Sequence, residues 1–142
     1  MNIKKFLLSA LAGLIGYIVA TFPLEELIFK SYLERAFYQP IGAPTVSAAN
    51  LPVSALIVPF SIVLILAYIY PKGYEGGAPA IEGLRFGVLM GLFSGIPFGI
   101  YFNLTFGIGF VPVLIQILIY TLEVSTTGLF IGLAYGRIQP KI

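Results

Sequence analysis

Four polar side chains form a stripe within an otherwise apolar stretch near the C-terminus. Their spacing of 0, 4, 7 and 11 positions is that of one face of a helix: Gln116, Tyr120, Glu123 and Thr127. Glu123 lies 13 residues from Phe110 and 13 from Gly136, so a helix across this stretch would place it near the bilayer midplane. An ionised acid at that depth costs at least about 2.5 kcal/mol. We therefore expect Glu123 to be protonated, hydrogen-bonded, facing water or paired with another chain.

Three roles for Glu123 follow from this position. A neutral Glu123 would act as glue between helices by hydrogen bonding to its stripe neighbours. The stripe would alternatively meet a polar group or cofactor of a partner subunit. A single carboxyl group also suffices for proton or cation coupling, provided that burial favours its protonated form. The sequence leaves all three roles open.

The composition excludes several chemistries. The 142 residues include no His, no Cys and no Trp, and all six acids are Glu. The chain therefore cannot build an ordinary zinc site, an Fe–S cluster, the usual haem site or a disulfide. It also lacks the commonest general base and the commonest thiol nucleophile, so we predict no enzyme activity, no metal and no cofactor. A net charge of +2 is too small for a nucleic-acid surface.

The same composition predicts an all-α membrane protein. Only 10% of the residues are charged, against roughly 25% in soluble domains. Four apolar stretches are long enough to cross about 30 Å of hydrocarbon, at 6–22, 51–70, 81–103 and 110–135. We predict that they form a single four-transmembrane-helix bundle over residues 1–142, and that the first stretch is an uncleaved span. Pro71 is expected to end the second span, and the short link 104–109 to make the last two spans antiparallel.

Loop charges predict that both termini are cytoplasmic. Lys and Arg are retained on the cytoplasmic side of a membrane. With the termini inside, two basic residues, Lys30 and Arg35, lie outside. Six lie inside: Lys4, Lys5, Lys72, Arg85, Arg137 and Lys141.

The segment 23–49 between the first two spans is predicted to be extracytoplasmic and to begin with a short amphipathic helix. Glu26, Lys30 and Glu34 alternate in sign on one side of that helix. The opposite side carries Leu24, Leu27, Ile28, Leu33 and Phe37. Such a helix would rest on the membrane or cap the bundle, while an extension of the first span fits the same pattern. Glu25 is assigned to the solvated face with Glu26.

Glycines recur at every fourth residue in the last two spans. Helices in a bilayer associate through close packing, and small residues four apart let two backbones approach. The third span carries Gly83, Gly87, Gly91, Gly95 and Gly99, and the fourth carries Gly128, Gly132 and Gly136. We predict that these glycines pack against a helix of the same chain or of another subunit.

One block of sequence resembles a group of small four-span bacterial membrane proteins. It reads Tyr70-Pro71-Lys72-Gly73-Tyr74-Glu75-Gly76, followed by Glu82-Gly83-Leu84-Arg85-Phe86-Gly87 and Gly91. The resemblance covers the second to fourth spans and implies a protein of the prokaryotic cytoplasmic (inner) membrane. It implies no activity and no functional residues.

These patterns favour a non-enzymatic protein that works by binding. The first prediction is an accessory, assembly or scaffold subunit that packs through its glycine-rich faces in a larger membrane complex or with itself. The alternative is a small oligomeric transporter, or an ion or proton pathway, that uses Glu123. The expected partners are the lipid bilayer and other membrane subunits or further copies, with no nucleic acid.

Overall fold

The computed structural model describes residues 3–39, 42 and 53–137, and every regular element in those ranges is helical. The α-helices are α1 (Ile3–Thr21), α2 (Lys30–Leu33), α3 (Val53–Gly73), α4 (Pro79–Phe106) and α5 (Phe110–Arg137). Wider π-helical turns follow α1 at Phe22–Ile28 and α2 at Glu34–Tyr38. Four helices are long and apolar enough to cross a membrane, and the first of these runs continuously over Ile3–Ile28. An all-helical fold with four candidate spans is therefore confirmed.

The second span ends later than the sequence predicted. The expected end was Tyr70, but α3 continues through Pro71 to Gly73. Pro71 cannot donate a backbone hydrogen bond to the helix. Only two residues of α3 follow it, so this loss disrupts little of the helix. Residues 51 and 52, the predicted start of this span, lie outside the described residues.

The central helix of the bundle is α5. In its most apolar stretch 44% of residues are buried, against 28% or less in the other three spans. Its most extensive contacts are with α4, and those with α1 come next. The Lys5 ammonium group lies 5.8 Å from the centre of the Tyr135 ring, which places the start of α1 beside the end of α5. These two ends therefore share one end of the bundle, and the side of the membrane that they face stays a prediction.

A three-residue link, Gly107 to Gly109, makes α4 and α5 antiparallel neighbours. Gly107 has a φ of 63°, the left-handed conformation that commonly ends helices and favours glycine. The Asn103 side chain holds the link, because its Oδ1 accepts a hydrogen bond of 2.9 Å from the Gly109 amide. The hairpin predicted from the short connection is present.

The glycines of α4 lie directly against the backbone of α5. A Cβ atom on Gly87 would be 2.6 Å from the Cα of Ser125, and one on Gly91 would be 2.8 Å from the Cα of Thr121. No real Cβ contact is that short, so the two backbones approach at a distance that requires glycine. All five of the α4 glycines are buried: Gly83, Gly87, Gly91, Gly95 and Gly99. On α5, Gly128 and Gly132 face α4, and Gly136 meets Pro79.

Helix α3 packs through its C-terminal half. Tyr70 is only 2% exposed, and its ring centroid lies 5.4 Å from that of Phe86 and 5.7 Å from that of Tyr135. Val63, Leu66 and Ala67 are also buried. The preceding turns, by contrast, expose Leu56, Ile57, Val58 and Phe60. The helix is therefore anchored at one end and leaves a gap beside α4 at the other.

The segment after α1 continues the first helix. Pro23 has no amide hydrogen to donate, and the helix passes it with wider turns in which Phe29 N donates to Leu24 O at 2.9 Å. The chain bends at Phe29, and Leu33 then packs against Ile119 of α5. Leu27 is 69% exposed although the 3.6-residue period placed it on the same face as Leu33. The wider turns change the phase of the helix, so Leu27 faces away from the bundle while Leu33 packs on α5, and the predicted apolar face stays a prediction. A separate amphipathic helix is thus unconfirmed, and residues 40, 41 and 43–52 lie outside the described residues.

Candidate functional site

The polar stripe of α5 is partly buried in the bundle. Glu123 is 2% exposed and Thr127 is 1% exposed, while Gln116 and Tyr120 are partly buried. The Thr127 hydroxyl donates to the backbone oxygen of Glu123 at 2.8 Å and thus does not serve its carboxyl group. Among the described residues, no hydrogen bond joins two of the four stripe side chains. The stripe therefore does not form the internal network that the first predicted role of Glu123 required.

The Glu123 carboxyl group faces α1. The Glu25 carboxylate acts on it through its charge, the Thr21 hydroxyl lies close to it, and Tyr17 interacts with the same group. Glu123 Oε1 is buried without a hydrogen-bond partner, and so is Thr21 Oγ1. These two oxygen-bearing groups are close neighbours that do not meet hydrogen-bond geometry. The buried acid thus retains an unused acceptor beside a second carboxyl group.

The position of Glu25 is supported by the packing of its neighbour. Leu24 packs against the cluster formed by Leu33 and Ile119. Ile119 lies about one helical turn from Glu123 along α5. The widened turns therefore hold Glu25 at the level of the polar stripe.

This arrangement corrects the sequence interpretation of the acids after α1. Glu26 is exposed and accepts a hydrogen bond of 2.8 Å from Lys30, which raises the pKa of Lys30 above its ordinary value. Glu25 is partly buried and lies close enough to Glu123 for their charges to interact, so it does not belong to the solvated face. A signal for this was present, because Tyr17, Thr21 and Glu25 are spaced four apart, as on one helical face. Pro23 obscured it, since a helix break was expected there.

Among the described residues, no basic side chain acts on the acid pair, meaning Glu25 and Glu123. The groups that act on Glu123 are Glu25 and Thr21, and no Lys or Arg of the described residues is among them. The basic groups lie elsewhere: Lys30 pairs with Glu26, Lys72 lies over the Tyr68 ring and Lys5 lies over the Tyr135 ring. The described residues therefore place no basic side chain in interaction with Glu123.

A cavity of about 250 Å³ lies on the other side of the stripe, between α3, α4 and α5. Its walls are Val58, Ile62, Ser94, Gly95, Phe98, Gly99, Gln116, Ile117 and Tyr120. The Tyr120 hydroxyl oxygen is 3.5 Å from Ser94 Oγ, and Ser94 donates its own proton to Met90 O at 2.6 Å. Two of the four predicted stripe residues, Gln116 and Tyr120, thus line a cavity, while the Glu123 carboxyl group lies on the side of α1.

The remaining chemistry of the described residues is limited. Residues 3–39, 42 and 53–137 contain no group of three His, Cys, Asp or Glu side chains that could hold a metal ion. No family model, curated protein or solved structure matches this chain. The class that the fold defines is a helical membrane protein with four candidate spans.

Proposed function

We propose that this protein is a small membrane carrier or ion pathway in which Glu123, assisted by Glu25, binds and releases a proton or a cation. The observation that carries the proposal is the state of the Glu123 carboxyl group. It is 2% exposed, its Oε1 has no hydrogen-bond partner, and its charged neighbour is another acid. A static structural acid would be expected to have a donor for that oxygen.

Electrostatics explain why such a pair exchanges ions. Two ionised carboxylates repel strongly where the dielectric constant is low, so the pair is most stable with one shared proton or one bound cation. A fixed Lys or Arg would neutralise the pair permanently. Glu123 and Glu25 have no such partner among the described residues, and a mobile ion supplies the missing positive charge.

The position of Glu25 offers a way in for that ion. It lies near the end of the continuous stretch Ile3–Ile28, whereas Glu123 lies deep in α5. Thr21 stands one helical turn before Glu25 and faces Glu123, and its hydroxyl oxygen is unpaired. Glu25 and Thr21 therefore supply polar groups between the end of the span and the buried Glu123 carboxyl group.

Two observations favour this role over that of an accessory or assembly subunit. The glycine-rich faces that motivated the accessory role are occupied by contacts between α4 and α5 of the same chain. Glu123 faces α1, so a polar group of a partner subunit would reach it only if the bundle opened. The glycine-rich faces and the Glu123 carboxyl group are therefore both covered by helices of this chain.

The proposal is tested by ion flux into liposomes that contain the purified protein. A pH-sensitive dye inside the vesicles reports proton movement, and Na⁺- and K⁺-sensitive dyes report cations under an imposed membrane potential. We expect flux from the natural protein and at least a tenfold loss in Glu123→Gln. The control is Glu75→Gln, which removes an exposed acid at the other end of the bundle. Equal flux in Glu123→Gln and the natural protein, or no flux of any of these ions, would contradict the proposal.

A further inference from the structure

The cavity between α3, α4 and α5 lies within the spans and opens toward lipid. Val58 on its rim is 62% exposed, and the backbones of α3 and α4 come close at few points, their ring contact being at Tyr70 near the other end of α3. Gly95 and Gly99 let Tyr120 and Ile117 pack closely on α4, so the cavity floor is the contact between α4 and α5. A molecule would therefore enter this cavity from the hydrocarbon of the bilayer.

The walls of the cavity select an uncharged ligand. None of its nine lining residues is acidic or basic, and most are apolar. A charged head group would lose its hydration there without gaining a counter-ion, which is strongly unfavourable. An apolar chain, by contrast, would pack against Val58, Ile62, Phe98 and Ile117.

One end of the cavity carries unused hydrogen-bonding capacity. Gln116 Oε1 is buried without a partner, and a side-chain amide offers both an acceptor and two donors. The contact of the Tyr120 hydroxyl with Ser94 Oγ is long, at 3.5 Å. A ligand hydroxyl can satisfy both groups, because it donates to Gln116 and accepts from Tyr120.

We propose that this cavity binds a neutral alcohol dissolved in the membrane, with its hydroxyl group at Gln116 and Tyr120 and its apolar chain along α3. The cavity uses the opposite side of the polar stripe from Glu123, so its occupancy does not require ion transport. The two sites are neighbours along α5, because Tyr120 and Glu123 are three residues apart in the same helix.

Photolabelling in lipid nanodiscs tests this inference directly. The probe is a long-chain alcohol with a diazirine in its chain, and the control probe is its methyl ether, which cannot donate a hydrogen bond. Labelled peptides are identified by mass spectrometry. We expect the alcohol to label the cavity residues about three- to tenfold more than the ether does, as one buried hydrogen bond implies.

Variants distinguish this site from a simple apolar gap. Gln116→Leu should lower labelling by the alcohol to the level of the ether. Ile62→Phe should fill the cavity and block both probes, with Val58→Phe on the exposed rim as a second filling variant if the first does not fold. Leu118→Phe is the matched control, because Leu118 is 61% exposed and does not line the cavity. Equal labelling by alcohol and ether, or full alcohol labelling of Gln116→Leu, would overturn the inference.

Discussion

Gly87 of α4 packs so closely on Ser125 of α5 that a methyl group on the glycine would lie 2.6 Å from the serine Cα. The three nearest neighbours of that methyl group are all backbone atoms, since the carbonyl oxygens of Val124 and Ser125 would lie 2.5 and 3.0 Å away. Backbone atoms of two packed helices cannot move aside separately. The pair therefore fixes the separation of the two helices that make the most extensive contact in the bundle.

Gly87→Ala should consequently destabilise the folded protein by about 1–3 kcal/mol, the usual range for an overpacked contact. The control is Gly73→Ala, because a Cβ atom at Gly73 has no neighbour within 4 Å. Unfolding in mixed detergent micelles, followed by helical circular dichroism, measures both. Equal stability of the two variants would show that α4 and α5 do not pack as closely as described.

Leu33→Ala should release the segment that folds back after Phe29. Leu33 is 1% exposed and packs on Ile119, so its truncation loses most of the contact that anchors this segment. Trypsin cleaves after Lys30 and Arg35, and the rate of cleavage reports the detachment. We expect at least about a tenfold faster cleavage, which corresponds to about 1.4 kcal/mol. Leu27→Ala, at a 69% exposed position, should leave the rate unchanged, and similar rates in both variants would argue against this anchor.

Glu82→Ala should loosen the turn before α4. The Glu82 carboxylate accepts a hydrogen bond of 3.1 Å from the Glu75 amide and a second one from the Gly77 amide. Hydrogen exchange at these two amides should therefore accelerate about five- to thirtyfold, as expected for losing about 1–2 kcal/mol. Glu82→Gln retains one acceptor oxygen and should have a smaller effect. Unchanged exchange in Glu82→Ala would mean that the carboxylate does not hold this turn.

Glu25→Gln tests whether the two acids act as one unit. If they share a proton or a cation, Glu25→Gln alone should lower the flux, and adding it to Glu123→Gln should lower the flux no further. The liposome assay with both single variants and the double variant gives the coupling between the two sites. Independent effects that multiply in the double variant would show that Glu25 does not cooperate with Glu123.

The four spans could be read from the sequence because their length and lack of charge are properties of each segment alone. The position of Glu123 near the middle of one long helix also followed, since the apolar stretch around it is a property of that segment alone. The spacing of four from Gly83 to Gly99 predicted a close contact. It could not name α5 as the partner, because that choice depends on how the helices are arranged in space.

The spacing of four between Tyr17, Thr21 and Glu25 indicated a shared helical face, but it did not fix where Glu25 lies. Its position depends on the widened turns after Pro23, where the 3.6-residue period no longer applies. The same turns explain why Leu27 is exposed while Leu24 packs against the bundle. Pro23, at the start of these wider turns, therefore obscured the position of Glu25 near Glu123.

In the proposed carrier, the Glu123 carboxyl group itself takes up and releases a proton or a cation. Infrared difference spectroscopy of the protein in bilayers distinguishes a protonated carboxyl group from a carboxylate, and subtracting the spectrum of Glu123→Gln isolates the Glu123 signal. We predict that this signal changes from protonated to ionised when the pH is raised or when the transported cation is added at constant pH. A Glu123 signal that stays the same across pH and under added Na⁺ and K⁺ would contradict the account.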